Sequence, residues 1–371
     1  MPHRRFIAPA IGVVVTAVAG WWVVRSIAPA TADHGYGRAR VVTVLEQGLR
    51  TVDGQNEQFQ KIEAKLLDGP QKGAVVTIES NDLVTSAAGV QAQEGQTIIV
   101  AMDRTQAGDQ YEIVDQYRNR RLILLVLLFV LLALMFGGGR GITALLGLVW
   151  TFVIIVKFIV PRIISGANPM LVGIEGAFAI AVVSLYLAHG WSKRTSVAVG
   201  STLLTLTLAI FAAVVSVNAT GLLGLGSEEV LYLPDIIGRI NLKGLLLAGI
   251  IIGTLGVLDD ITTGQTAVVD EIAKANPRLK PWELYRRGLS VGREHIASLV
   301  NTLILAYAGA SFPLFLLLVL GGDRPLWVTL NSEFLAEEIV RTLVGSATLI
   351  MAVPISTALA AVLLKTREKK G

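Results

Sequence analysis

The stretch GLLLAGIIIGTLGVLDDITTGQTAVVDE, residues 244–271, decides how this chain is read. An uncharged apolar run, 244–258, passes directly into the adjacent carboxylates of Asp259 and Asp260, then a hydroxyl-rich patch, then the acidic pair Asp270 and Glu271. Apolar segments of this kind belong in a bilayer, and a carboxylate placed at the end of one carries a solvation cost that needs a reason. On a helix, Asp259, Thr263, Thr266 and Asp270 fall at steps of four, three and four and share one face; Asp260, Gly264, Ala267 and Glu271 form the neighbouring row. The stripe suits a membrane protein that handles ions or polar solutes. It equally suits a helix that leaves the bilayer at Asp259 and shows a solvated face to the cytoplasm.

Working outward, the composition places the stretch in a membrane protein. The 371 residues are 53% hydrophobic and 16% charged, with a mean hydropathy of +0.62, a balance that ordinary soluble domains do not show. Since about 17–25 mostly apolar residues cross a ~30 Å hydrocarbon core as a helix, eight segments qualify: 6–24, 122–136, 141–160, 170–189, 196–217, 244–258, 297–320 and 339–364. With the N-terminus inside, fifteen lysines and arginines fall on the cytoplasmic side and five in the short outer loops, which puts both termini in the cytoplasm. The cluster Arg118, Arg120 and Arg121 then lies outside, as is tolerated next to a long translocated domain. The sequence pI near 9.3 reflects this topological asymmetry and attraction to the inner lipid surface, and calls for no nucleic acid. Residues 1–25 read as an uncleaved membrane anchor, because Trp21 and Trp22 suit an interface, although Arg4, Arg5 and the Ala30-Thr31-Ala32 site imitate a cleavable signal peptide.

Between 26 and 121 the pattern changes from helical to alternating. In 60–67, Ile62, Ala64 and Leu66 alternate with Lys61, Glu63 and Lys65, as on a strand with one buried face, and 39–45, 73–79, 96–101 and 111–115 behave alike. Asp68-Gly69-Pro70 and Glu94-Gly95 supply turns. Five short strands in under 100 residues predict a small extracytoplasmic β-barrel of the OB type. The expected fold class is therefore an all-α polytopic membrane helix bundle of eight transmembrane helices, residues 122–371, with a basic cytoplasmic segment at 273–296 and the OB-like domain inserted between the first and second helices.

Three long segments carry a resemblance: GTLGVLDDITTGQTAVVDEI at 253–272, VGREHIASLVNTLILAYAGASFPLFLL at 291–317, and EEIVRTLVGSATLIMAVPISTALAA at 337–361, joined by LLDGPQKGAVVTIESN at 66–81. In these the chain resembles the YibE/F-like integral membrane proteins from about Arg40 onward. The resemblance implies a multi-span bacterial membrane protein of a kind commonly taken for transporters, with no substrate and no catalytic residues to carry over. Some relatives have one aspartate where this chain has Asp259-Asp260, which bears on the need for the second.

Catalysis finds little support. The chain has no cysteine, which excludes thiol chemistry, and its four histidines, His3, His34, His189 and His295, form no HExxH motif; no phosphate-cradling loop is present. No enzyme activity and no cofactor is expected. The functional expectation is a transporter or channel of the inner membrane for an ion or small polar solute, cation- or proton-coupled. Asp259 and Asp260 would bind the cation or carry protons, Thr262, Thr263, Gln265 and Thr266 would offer oxygen ligands, and Asp270 and Glu271 would line the inner mouth. Asn301 and Thr302 on the next span are candidates to meet this stripe, and Lys157 with Glu175 form a candidate buried ion pair. The alternative is a non-transporting scaffold whose outer domain, 26–121, docks an envelope protein. Depth depends on where the helix begins: a start at Gly244 on the outer boundary leaves the aspartates in the inner third of the core, whereas a start near Ile236 brings them out into water.

Overall fold

The computed structural model describes residues 35–52, 55–69, 71–80, 91–105, 108–320 and 325–365. The anchor expected at 1–25 lies outside the described residues. Two compact units are present, one within Arg25–Leu132 and one within Ala133–Gly371.

The first unit is an antiparallel sheet of β1 (Tyr36–Val52), β2 (Gln55–Leu66), β3 (Val75–Ser80), β4 (Thr97–Thr105) and β5 (Gly108–Gln116), in the order β3-β2-β1-β4-β5. Period-two alternation decides its faces. Ile62, Ala64 and Leu66 of β2 meet Val41, Ile78, Ile98 and Val100 in an apolar interior, all at most 4% exposed. Register shifts in β1 between Val41 and Thr43 and between Val44 and Glu46 bend this long strand so that it serves both β2 and β4. Buried Gln60 pins the segment before β4: its amide donates to the Ala92 carbonyl at 2.9 Å and accepts the Ala92 N–H at 2.8 Å.

The sheet is a curled half-barrel rather than the expected closed OB-like barrel. No backbone ladder joins the edge strands β3 and β5 among the described residues. Side chains span the gap instead: Gln71 donates to Asp109 Oδ2 at 2.7 Å and accepts from the Tyr111 hydroxyl at 3.0 Å. With only six residues, β3 offers a short edge for a ladder to close on.

The second unit is helical. Residues Asn119–Ile164 form one 46-residue helical run, α1 (Asn119–Ile154), a π-helical turn (Ile155–Ile159) and α2 (Val160–Ile164). It contains two of the expected spans, 122–136 and 141–160, which lie on either side of a break in the helix. Gly138 breaks the run with φ 55 and ψ −133, and a side chain at Gly141 would collide with the Ala133 carbonyl, so the glycine cluster is a required kink. The π-turn precedes Pro161, which has no N–H to continue the α ladder, and Val160 N–H reaches back to Ile155 O instead.

Four more helices organise the unit: α3 (Pro169–His189), α4 (Lys193–Ala219), α6 (Leu242–Ala275) and α10 (Glu333–Leu363), with the short α5 (Glu228–Ile237) between α4 and α6. Asn168, Ser192 and Asn241 cap α3, α4 and α6 by accepting backbone N–H groups. Between α6 and α10 come α7 (Pro281–Ala310), α8 (Phe312–Leu320) and α9 (Leu326–Leu330). The expected span 297–320 is therefore divided at Ser311, just before Pro313, which again withdraws a backbone donor. Among the described residues five helical runs, not eight, are long and apolar enough to cross a membrane: Asn119–Ile164, Pro169–His189, Lys193–Ala219, Leu242–Ala275 and Glu333–Leu363. The protein is mostly helical, and these runs make it a multi-pass membrane protein.

The centre of this unit combines aliphatic and hydroxyl side chains. Thr202 and Thr205 on α4, Thr254, Thr262 and Thr266 on α6, and Thr348, Ser356 and Thr357 on α10 are all at most 1% exposed. Most return their hydroxyl to the carbonyl four residues earlier, as Thr254 does to Ile250 at 2.7 Å and Thr357 to Val353 at 2.6 Å. Such hydroxyls satisfy themselves within their own helix and allow close packing.

Candidate functional site

The acidic stretch lies inside α6, which begins at Leu242 and continues unbroken to Ala275. The preceding α5 is a separate helix stopped at Gly238, φ 83, so α6 does not start near Ile236. Asp259 is thus about 25 Å along α6 at 1.5 Å per residue, within the reach of a ~30 Å core that begins at Leu242.

Asp259 borders an open cleft of about 330 Å³ between α1, α3 and α6, with Asp260, Thr263, Thr151, Ser184 and His189 also on its wall. Its Oδ2 faces the Ser184 hydroxyl at 3.5 Å, the outer limit of a hydrogen bond. Its Oδ1 is buried and has no hydrogen-bond partner. A carboxylate oxygen so placed is costly unless something other than the chain serves it. Asp260 is exposed. A second cleft of about 160 Å³ lies beside the first, sharing His189 and Thr263 and adding Arg194, Thr195 and Gly264.

The remaining expected ligands divide by what they touch. Thr263 turns its hydroxyl to the Asp259 carbonyl at 2.7 Å while lining both clefts. Thr262 is fully buried against Thr202 of α4, with hydroxyls 2.6 Å apart. Gln265 donates to the Gly288 carbonyl of α7 and to the Thr357 hydroxyl of α10, both at 2.8 Å, and so ties three helices. That close approach requires glycine at 288 and 292: a Cβ at Gly288 would lie 2.8 Å from Val269, and one at Gly292 would meet Val353 and stand 3.0 Å from the Gln265 amide. Thr266 is fully buried and its hydroxyl has no hydrogen-bond partner. Asp270 and Glu271 share Lys274, at 2.7 and 2.9 Å, which offsets one of the two charges at the end of the stripe. Asn301 and Thr302 are exposed on α7 and line neither cleft; the Thr302 hydroxyl bonds its own helix at Ser298 O, 3.0 Å. Glu175 forms an ion pair with Arg162, whose guanidinium also lies 4.8 Å from the Phe158 ring centroid. Lys157 is exposed in the π-turn.

Two acidic residues that the sequence did not single out are among the best-held in the molecule. Glu333 Oε1 accepts the backbone N–H groups of Leu223 at 2.5 Å, Gly224 at 2.9 Å and Leu225 at 3.3 Å, while Glu337 Oε1 accepts that of Gly226 at 2.9 Å. The signal was present as a glycine-spaced loop, 221–226, and two glutamates four apart at a helix start, but nothing in the sequence joins loop to helix across more than a hundred residues. Ser184 and Thr202, which reach the α6 stripe from α3 and α4, were likewise not foreseen.

Among the described residues no three histidine or acidic side chains come together as a metal-ligand set. Around Asp259 the available groups are two carboxylates, hydroxyls and one imidazole, suited to a proton, a cation or a hydrogen-bonding solute. No curated protein and no solved structure matches this chain. The YibE/F-like protein signature, however, matches residues 125–366, which include every helix that lines the clefts and exclude the β-unit, and the chain belongs to that family.

Proposed function

We propose that the protein is a transporter of the bacterial inner membrane for an ion or small polar solute, coupled to a cation or proton that Asp259 takes up. One observation carries this reading: midway along a membrane-length helix, beside an open cleft, Asp259 Oδ1 is buried with no protein donor. Asp260 and Thr263 add oxygens at the cleft, whereas Thr262 and Gln265 hold the helices that frame it. The lysine and arginine asymmetry supports cytoplasmic termini and an outer β-unit. Eight crossings follow if the kinked 46-residue run crosses twice and 6–24 and 297–320 each cross once. The reading needs no cofactor and no nucleic acid.

The test is reconstitution in liposomes, with charge movement recorded during steps of pH, monovalent and divalent cations and amino acids. A specific current lost in Asp259→Asn is the expected result; full flux in the double variant Asp259→Asn, Asp260→Asn would rule out the charge mechanism.

A second reading, a scaffold that docks an envelope protein through 26–121, has its own support in the apolar side chains exposed along β1, Val42, Leu45 and Leu49. Crosslinking from these positions followed by partner identification tests it; a phenotype that survives deletion of the β-unit would remove its main motive.

A further inference from the structure

We infer that the two adjoining clefts form one site for a small zwitterion, an ammonium group joined to a carboxylate, with Asp259 taking the ammonium and Arg194 the carboxylate. The inference rests on the transport reading of the Asp259 cleft and adds the chemical class of its substrate.

The hollow has two ends of opposite charge. At one end are Asp259, with its unpartnered buried oxygen, and Asp260. At the other is Arg194, in the first turn of α4 beside Lys193; its guanidinium makes no hydrogen bond or ion pair with any described residue. His189 and Thr263 line both clefts, so the two ends adjoin. A bare cation would be drawn to Asp259 and repelled by Arg194 and Lys193, and a lone anion would meet the reverse. A molecule carrying both charges is served at both ends, and Arg adds a planar fork that fits a carboxylate.

The spacing agrees. Asp259, Thr263 and Ala267 mark successive turns of α6 along the two clefts, which together extend over one to two turns of that helix, roughly 6–11 Å. That is the span of an amino acid with a hydrogen bond of about 2.8 Å at each charged end. Volume points the same way: about 330 Å³ in the larger cleft is at the lower limit of the ~300–1,000 Å³ found for small-molecule sites. The lining of the larger cleft includes Thr263 and Ser184 as well as Ala144, Leu148 and Leu185, which suits a small uncharged side chain.

The test uses the full-length protein in phosphatidylglycerol nanodiscs, reading its thermal unfolding midpoint and calorimetric binding. Glycine, L-alanine and L-glutamine are the zwitterions; methylammonium and acetate each carry one of the two charges. The expected result is binding of at least one zwitterion, weakened about tenfold or more in both Arg194→Gln and Asp259→Asn and partly restored in Arg194→Lys. Arg194 has no hydrogen-bond or ion-pair partner to lose among the described residues, so its variants test recognition rather than folding. Methylammonium or sodium binding as well as every zwitterion, with no effect of Arg194→Gln, would overturn the inference and leave the cation role of Asp259 standing. No response to any zwitterion would also overturn it. So would stabilisation by added phosphatidylethanolamine alone, which would assign Arg194 to a lipid headgroup.

Discussion

The helical unit treats its carboxylates in two opposite ways. At the head of α10, Glu333 and Glu337 receive four backbone N–H groups from residues 223–226, and the helix N-terminus adds its own favourable field. Midway along α6, Asp259 has one hydroxyl at 3.5 Å and an oxygen with no donor. The first pair acts as a fastener whose charge is committed to the chain. The second group keeps its charge available, and it does so beside an open cleft. Burial alone therefore does not single out a candidate functional acid; burial without satisfaction beside a cleft does.

The comparison breaks most readily at the fastener. Replacing both Glu333 and Glu337 by alanine strips four amides of their acceptor and should lower stability by about 3–5 kcal/mol, read as a fall in the unfolding midpoint in detergent. An unchanged midpoint would mean that the loop is held by other contacts and that Glu337 has a different task. Next in size is Gly292→Val, which pushes a side chain into Val353 and Gln265; about 1–3 kcal/mol is expected, with the same assay as the check. Asp259→Asn should sharpen the contrast by costing less than about 1 kcal/mol, since it removes a charge that the chain does not satisfy. A collapse of folding in that variant would show that the carboxylate is structural after all.

The smallest effect is in the β-unit, where Arg38 grips Asp68 through Nε at 2.6 Å and Nη2 at 2.8 Å, with both side chains more than a third exposed. The hydrogen bond from Arg38 holds the Asp68 carboxyl below the usual carboxylate range. A lowered folded-state pKa stabilises above the unfolded value, 3.8, and that contribution disappears as pH falls through the folded one. Arg38→Ala should thus cost about 0.2–1 kcal/mol at neutral pH and low salt and nothing in strong acid, as thermal melts across pH would report.

Much of this was legible in the sequence for local reasons. Alternation in Ile62, Ala64 and Leu66 gave the strands because a half-buried strand leaves no other choice, and an apolar run ending in Asp259 marked the candidate site because charge on an apolar helix is rare. Closure of the sheet was not legible, since it depends on whether two edges distant in sequence meet by ladder or by side chain. Nor was Arg162 as the partner of Glu175, because the π-turn at 155–159 rotates the residues after it out of α-helical register. The pairing of Asp270 and Glu271 with Lys274 was readable from spacings of four and three.

The fastening pattern also has a mechanical consequence. Gln265 bolts α6 to α7 and α10, and the Thr202–Thr262 contact adds α4. On the other wall of the cleft, Trp150 donates to the Ala179 carbonyl and Thr143 to that of Ala188, which joins α1 to α3. Between these two bodies α3 and α6 approach closely at Gly173, where a Cβ would stand 2.7 Å from Ala248, and the side-chain hydrogen bonds across, Ser184–Asp259 and Tyr186–Ser196, are both toward the opposite end of α3. From Gly173 to Ser184 is about 16 Å of helix. Over that length Ala177, Ile180 and Ala181 are buried in the same core cluster as Ile251, Leu255 and Leu258 of α6, so α3 is seated on α6 from Gly173 to the wall of the Asp259 cleft.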